Sequence, residues 1–125
     1  MATIILVVED RPDIRKLICM TMNYDEFEVH EADSGQNALR MMEALRPDLV
    51  LLDVMMPGEL DGYQVCERIR ANPKFSRTPV VMLTARAQES DREEGRRNGC
   101  TAYLTKPFSP LLLIETVESI LAKPE

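Results

Sequence analysis

The sequence predicts a single α/β domain in which helices cover both faces of one parallel sheet. Along the 125 residues, five short apolar runs alternate with five longer stretches of helical pattern. Three of the runs are almost wholly apolar, which is typical of strands that are covered on both faces. A strand–helix order that repeats five times implies right-handed crossovers and a doubly wound sheet. The length also suits one domain.

The apolar runs are the predicted strands. The first, third and fourth contain almost no polar residues. The second alternates apolar and polar side chains, so we expect it near an edge of the sheet. In chain order the predicted strands are Thr3–Val8, Phe27–Glu31, Leu49–Leu52, Pro79–Leu83 and Ala102–Leu104.

Four of the predicted helices have start signals, either a side chain that caps the first turn or a proline within it. The signals are Pro12 with Asp13, Ser34, Asp61, and Ser109 with Pro110. Each signal is followed by apolar side chains that we expect to face the sheet. These side chains are Ile14, Leu17, Ile18 and Met22 in the first helix, Ala38, Met41, Met42 and Leu45 in the second, Val65, Cys66 and Ile69 in the third, and Leu113, Val117, Ile120 and Leu121 in the fifth.

The fourth helix differs from the others. Its segment, Gln88–Asn98, contains no apolar side chain, and Gly95 within it costs about 1 kcal/mol relative to alanine. We expect this helix to be the least stable element, because few buried contacts mean a low free energy of local opening. The alternative is that long arginine stems cover the sheet while their charges stay in water.

Composition and charge argue against several functions. The net charge of −6 disfavours nucleic-acid binding by this domain and suits a cation site or a basic partner. No apolar run approaches the roughly twenty residues that a membrane span needs, and the N-terminus has no signal-peptide pattern. The three cysteines lack zinc-site spacing, so we expect reduced thiols in a cytoplasmic protein.

Polar residues follow the predicted strands at their carboxyl ends. Glu9 and Asp10 follow the first strand, Asp53 the third, Thr84 the fourth and Lys106 the fifth. Each residue by itself has an ordinary explanation as a turn, cap or surface residue. Ligands of open α/β sheets bind at the carboxyl ends of the strands, so together these residues predict one site.

Three clustered carboxylates need positive charge, because two unit charges about 4 Å apart repel by about 4 kcal/mol at an effective dielectric of 20. Lys106 provides one such charge. Mg²⁺, which prefers oxygen ligands, would provide two. Phosphoryl transfer depends mainly on positioning and on cations, and a carboxylate nucleophile can form an aspartyl phosphate. The residues therefore predict a metal–phosphate site.

Five segments, in order and with the right spacing, resemble the receiver domains of two-component response regulators over essentially the whole chain. The segments are ILVVED (5–10), PDLVLLDVMMPG (47–58), DGYQV (61–65), PVVMLTA (79–85) and AYLTKPF (102–108). The resemblance implies a flavodoxin-like (βα)5 fold with strand order 2-1-3-4-5. It also implies that residues 1–125 form a receiver domain, with no effector domain present.

The resemblance assigns roles to the acidic residues. Asp53 would be the phosphoacceptor. Mg²⁺, or Mn²⁺ in its place, would be bound by Glu9, Asp10, Asp53 and the backbone carbonyl of Met55.

The resemblance also assigns the residues that would surround the phosphoryl group. Lys106, Thr84 and the backbone of Ala85 would bind its oxygens. Thr84 and Tyr103 would form the conformational switch. The peptide bond between Lys106 and Pro107 would be cis, an isomer that is common only before proline.

Such a protein would be a phosphoacceptor that assists its own phosphorylation, and not an enzyme. The phosphodonor would be a sensor histidine kinase or a histidine phosphotransfer protein, with Cys19 and Met20 on the docking surface. The fourth helix, fifth strand and fifth helix would signal to an unknown output partner, and a homodimer through the same elements stays open. We expect no direct contact with nucleic acid or membrane.

Some positions depart from the family pattern, although none removes a reacting group. Arg11 follows the acidic pair, and the loop from Gly58 to Asp61 is one residue longer than usual. Cys100 and Thr101 stand where alanine and aspartate are typical, and Arg96 occupies a usually apolar position of the fourth helix.

Three other interpretations predict different behaviour. A pseudo-receiver would bind partners without phosphorylation, but the reacting groups are intact. An aspartate-based phosphatase or phosphotransferase would need a second catalytic aspartate where Met55 stands, and a cap for which the chain has no room. A flavodoxin-like nucleotide carrier would need a phosphate-binding loop after the first strand, and none is present.

Overall fold

A computed structural model describes residues 2–24, 26–56 and 58–122 of the protein. The predicted domain of residues 1–125 therefore extends outside the described residues at both ends, and Pro57 of the third-strand motif also lies outside them. Within the described residues, five parallel strands form one sheet in the order β2-β1-β3-β4-β5. This order confirms the predicted fold class. The strands are β1 Thr3–Val8, β2 Phe27–Ala32, β3 Leu49–Leu52, β4 Val80–Thr84 and β5 Ala102–Thr105.

Five helices connect and follow these strands in the described part of the chain. They are α1 Pro12–Thr21, α2 Gly35–Leu45, α3 Gly62–Ala71, α4 Glu89–Arg97 and α5 Pro110–Ala122. The capping predictions are confirmed: Ser34, Asp61 and Ser109 each accept a hydrogen bond from a backbone N–H in the first turn of their helix. None of these helices is long and apolar enough to cross a membrane.

The sheet is covered on both faces, as the apolar runs predict. Alternate residues of each strand point to opposite faces, so Leu6 and Val8 of β1 join the core under α2 and α3. Ile5 and Val7 join the core under α1 and α5. The second strand lies at an edge of the sheet, as its alternating pattern predicts.

The predicted inner face of α1 is wrong at one position. Ile18 and Met22 are fully buried, but Leu17 is 51% exposed. At 100° per residue the buried direction passes through residues 14, 18 and 22, which leaves Leu17 on its outer flank. Cys19 is partly buried: it packs against the core under α1 and α5, and it also lines a surface depression together with Met20.

The strand register brings the predicted site residues to one edge of the sheet. The last residue of β1, Val8, pairs with Leu52 at the end of β3. Thr84 at the end of β4 pairs with Thr105 at the end of β5. The residues that follow these strands therefore lie side by side.

Candidate functional site

Three carboxylates meet where β1 and β3 end. Oxygen atoms of Glu9, Asp10 and Asp53 all lie within 4.8 Å of one another. Glu9 is completely buried and Asp53 is 5% exposed, whereas Asp10 is partly exposed. The two buried carboxylates come directly after strands whose last four residues are apolar and buried, so the packing of the sheet fixes their positions.

Lys106 supplies the nearest positive charge. Its Nζ atom lies 2.5 Å from Oε1 of Glu9 and 3.5 Å from Oδ2 of Asp53. The backbone N–H of Lys106 donates to the carbonyl of Thr84, and the following bond to Pro107 is cis, the isomer that the resemblance implies. The end of β5 thus directs the ammonium group toward the acidic cluster.

The carboxylates also accept hydrogen bonds from the backbone. Oδ1 of Asp53 accepts from the N–H of Met55 at 3.2 Å. Oε2 of Glu9 accepts from the N–H of Arg11 at 3.4 Å. Arg15 donates to the backbone carbonyl of Glu9 at 2.9 Å, which fixes the turn that leads from β1 into α1.

A cleft of about 280 Å³ opens onto the acidic cluster. Asp10, Asp53 and Lys106 line it, together with Met55 and Ala85 from the loops after β3 and β4. The cleft therefore gives a small ligand access to the carboxylate of Asp53.

The electrostatics of the cluster favour a bound cation. Burial raises the pKa of Glu9, and the neighbouring Asp53 raises it further, although Lys106 opposes both effects. Burial also raises the pKa of Asp10, with Glu9 adding to the effect. Several carboxylate oxygens at short mutual distance fit Mg²⁺, which takes oxygen ligands and keeps several waters.

Thr84 and Tyr103 are joined by one residue, Arg86. Thr84 is fully buried, and its Oγ1 accepts a hydrogen bond from the N–H of Arg86 at 3.2 Å. The hydroxyl of Tyr103 donates to the backbone carbonyl of Arg86 at 2.9 Å. The two expected switch residues therefore contact opposite sides of the same peptide segment.

Sequence reasoning did not identify Arg86 or Tyr63 as part of this arrangement. The hydroxyl of Tyr63 lies 3.2 Å from that of Tyr103, and the guanidinium of Arg86 lies 5.9 Å from the centre of the Tyr63 ring. Tyr63 stands three positions before Cys66 on α3, so helical spacing could have placed it on the buried face. No sequence signal indicated its hydroxyl partner, which lies forty residues away along the chain.

Comparisons with known proteins agree on one protein family. The model of the response regulator receiver domain matches residues 5–118. The transcriptional regulatory protein SrrA of Staphylococcus aureus is 38% identical over 123 residues, which is 98% of this chain and 49% of the relative. The chain thus spans about half the length of the curated relatives that it matches.

Solved structures agree with the fold. The chemotaxis protein CheY4 of Vibrio cholerae is 30% identical, with a TM-score of 0.89 over 96% of this chain and 99% of that one. The receiver domain of the sensor histidine kinase PA1611 from Pseudomonas aeruginosa is 32% identical, with a TM-score of 0.89 over 98% and 100% of the two chains. That structure contains a magnesium ion coordinated in its active-site cleft.

Proposed function

This chain belongs to the response regulator receiver domains of two-component signalling, and from that premise we propose that Asp53 accepts a phosphoryl group in a Mg²⁺-dependent reaction. The observation that supports the proposal most strongly is the cluster of Glu9, Asp10 and Asp53 within 4.8 Å, with Lys106 bonded to it. Asp53 lies at the centre of this arrangement and lines the cleft.

The reaction is a displacement at phosphorus. A carboxylate oxygen of Asp53 attacks the phosphorus atom of a phosphohistidine, and an O–P bond forms as the N–P bond breaks. The electron pair of the broken bond stays on the histidine nitrogen. Lys106, 3.5 Å from Oδ2 of Asp53, is placed to stabilise negative charge on the transferred group.

Glu9, Asp10 and Asp53, with the backbone carbonyl of Met55, would hold the metal ion. When bound, Mg²⁺ supplies the positive charge that phosphoryl transfer requires, and Mn²⁺ offers the same oxygen-ligand chemistry. Beyond the metal, Lys106, Thr84 and the backbone of Ala85 would bind the phosphoryl oxygens. Met55 and Ala85 line the cleft that leads to Asp53, which supports their assignment.

The phosphodonor would be a histidine kinase or a histidine phosphotransfer protein that docks on α1. Met20 is 65% exposed and Leu17 is 51% exposed on the same helix, which supports an apolar docking surface there. The surface formed by α4, β5 and α5 would signal to an output partner or form a homodimer. The receiver function itself would reside in residues 1–125.

A stable mimic of the phosphoryl group tests the proposal. Beryllium fluoride should bind the protein in the presence of Mg²⁺, and fluorine NMR should show a bound fluoride signal. The Asp53→Asn variant, which keeps the shape of the side chain, should show none. A bound signal of equal size in the variant would contradict the assignment of Asp53 as acceptor.

A further inference from the structure

The side chain of Tyr63 connects three elements of the fold. Its ring is buried on the inner face of α3, with 3% of the residue exposed. Its hydroxyl lies 3.2 Å from the hydroxyl of Tyr103 on β5 and 3.0 Å from the backbone carbonyl of Asp91 in the first turn of α4. None of the roles proposed above uses this hydroxyl.

The protons of the two tyrosine hydroxyls determine what this contact does. Each hydroxyl has one proton to donate and lone pairs that accept. Tyr103 donates its proton to the carbonyl of Arg86 at 2.9 Å. The single proton of Tyr63 is then shared between two acceptors, the carbonyl of Asp91 at 3.0 Å and the hydroxyl oxygen of Tyr103 at 3.2 Å. We call this arrangement of Tyr103 the bonded rotamer. Tyr63 stabilises it, because a Tyr103 side chain that turned away would lose both hydrogen bonds.

The position of the Tyr103 ring also affects α4. Gly95 of α4 approaches the ring so closely that a side-chain carbon there would lie 2.9 Å from Cδ2. The guanidinium carbon of Arg92 lies 5.3 Å from the ring centre, and its Nη1 donates to the backbone carbonyl of Tyr103 at 3.3 Å. The helix therefore packs on Tyr103, and Tyr63 contacts both the ring's hydroxyl and the helix.

We propose that Tyr63 is a positioning residue of the switch, whose hydroxyl holds Tyr103 in the bonded rotamer and links that rotamer to the placement of α4. The inference rests on the proposed function, because it takes Tyr103 as the switch residue. The rotamer of Tyr103 can be measured in the unmodified protein, so the test does not require phosphorylation.

The test compares Tyr63→Phe with the wild-type protein. The substitution keeps the buried ring beneath Arg86 and removes only the hydroxyl. In uniformly labelled protein, three-bond couplings from Cγ of Tyr103 to its own backbone nitrogen and carbonyl carbon measure the rotamer populations. A shared hydrogen bond is weaker than an unshared one, so its loss should lower the ratio of bonded to other rotamers about twofold, which corresponds to the lower end of ordinary hydrogen-bond strength.

The matched control is Tyr24→Phe. It removes another tyrosine hydroxyl, which donates to Glu118 at 2.9 Å near the opposite face of the sheet, and it should leave the Tyr103 couplings unchanged. Unchanged Tyr103 couplings in Tyr63→Phe would overturn the proposal, even if that variant unfolded at a lower temperature, because such a result shows a purely structural role.

Fluorine NMR of beryllium fluoride on the same samples separates this inference from the proposed function. If the wild-type protein bound no beryllium fluoride, the acceptor function would fail. The coupling comparison in unmodified protein would still decide whether Tyr63 holds Tyr103.

Discussion

At the scale of single residues, the acidic cluster opposes the stability that the packed sheet provides. A carboxyl group with a raised pKa is less favourable in its charged form in the folded protein than in the unfolded chain. Glu9 and Asp10 both have a raised pKa. Ionisation of these two groups therefore lowers the free energy of unfolding as the pH rises above the ordinary carboxyl range. A bound cation would offset the cost.

Replacing Asp10 by Asn should therefore stabilise the metal-free protein at neutral pH. Asp10 is partly exposed, so the repulsion between charges about 4 Å apart is close to its value in water, and removing one charge relieves on the order of 1 kcal/mol. The free energy of unfolding in urea should rise by about that amount. The same variant should lose the stabilisation that Mg²⁺ gives the wild-type protein.

Asp13→Asn is the control for this prediction. Asp13 lies three positions further along the chain and forms an exposed ion pair with Arg11, which contributes little to stability. It should keep the Mg²⁺ response. A Mg²⁺ response in Asp10→Asn as large as that of the wild type would show that Asp10 does not bind the metal.

The proximity of residues that directly follow strands could be predicted from the sequence. The proximity of residues whose side chains meet only through tertiary packing could not. Glu9, Asp53 and Lys106 come after apolar runs whose ends align in a parallel sheet, so their proximity follows from the pattern. Tyr63 and Arg86 meet Tyr103 through the packing of α3 and of the loop after β4. Nothing in the sequence around Tyr63 or Arg86 indicates that either residue lies close to Tyr103.

At the scale of elements, α4 is attached to the sheet in an unusual way. Gly95 is its only buried residue, and the guanidinium group of Arg92 lies over the ring of Tyr103. The helix therefore lacks an apolar face, as the sequence indicates. The charged end of Arg92, rather than its stem, makes the contact with β5. The outer charges of the helix pair with each other, as Arg96 does with Glu89.

Amide hydrogen exchange should show α4 to be less protected than the core of the sheet. With few buried contacts, Glu89–Arg97 should open at a lower free energy than the fully buried strand Leu49–Leu52. Equal protection of the two segments would contradict this expectation.

Arg92→Ala should weaken the protection of α4 further, because it removes both the contact with the Tyr103 ring and a hydrogen bond to the backbone of β5. Arg97→Ala, at an exposed position of the same helix, is the comparison and should have little effect on exchange.

The exposed face of α1 should control the rate of transfer from a protein donor. Met20→Glu places a charge on the proposed docking surface, where Met20 is 65% exposed. Transfer from a phosphorylated histidine protein should slow at least tenfold, and phosphorylation by acetyl phosphate should not change. Autoradiography of both reactions measures the two rates.

Ala44→Glu is the matched control, since Ala44 is exposed on α2, which packs on the opposite face of the sheet. It should leave both rates unchanged. If Met20→Glu slowed both reactions equally, the effect would lie in the acidic cleft and not in docking.

The positions of helices and strands along the chain were largely predictable from the sequence. The side chains that each helix turns toward the core were harder to predict. Start signals such as Ser34 and Asp61 act locally, through hydrogen bonds within one turn, so the sequence indicates them directly. The orientation of α1 depends on how it packs between the sheet and solvent, and there the sequence pattern misplaced Leu17.

At the scale of the whole molecule, the strand order concentrates charge of both signs at one edge of the sheet. The alternation of apolar runs with helical stretches predicted parallel strands, with β2 near an edge. It left the order of the other strands open, because several strand orders bury the same apolar residues. The observed order places β1 beside β3, and this neighbour relation brings Glu9 and Asp10 next to Asp53.

Magnesium should stabilise the whole fold. At a concentration one hundred times its dissociation constant, one bound ion adds about 2.7 kcal/mol to the free energy of unfolding. For a domain of this size the midpoint of thermal unfolding should rise by several degrees. Calorimetry with and without Mg²⁺ measures the change, and a midpoint that millimolar Mg²⁺ does not move would contradict the proposed metal site.

The most direct test of the account is the mass of the intact protein after incubation with acetyl phosphate. We expect the wild-type protein to gain one phosphoryl group when Mg²⁺ is present and none when it is removed by chelation, and Asp53→Ala to gain none in either case. A gain that persists in Asp53→Ala, or that does not need the metal, would contradict the assignment of Asp53 as a Mg²⁺-dependent phosphoacceptor.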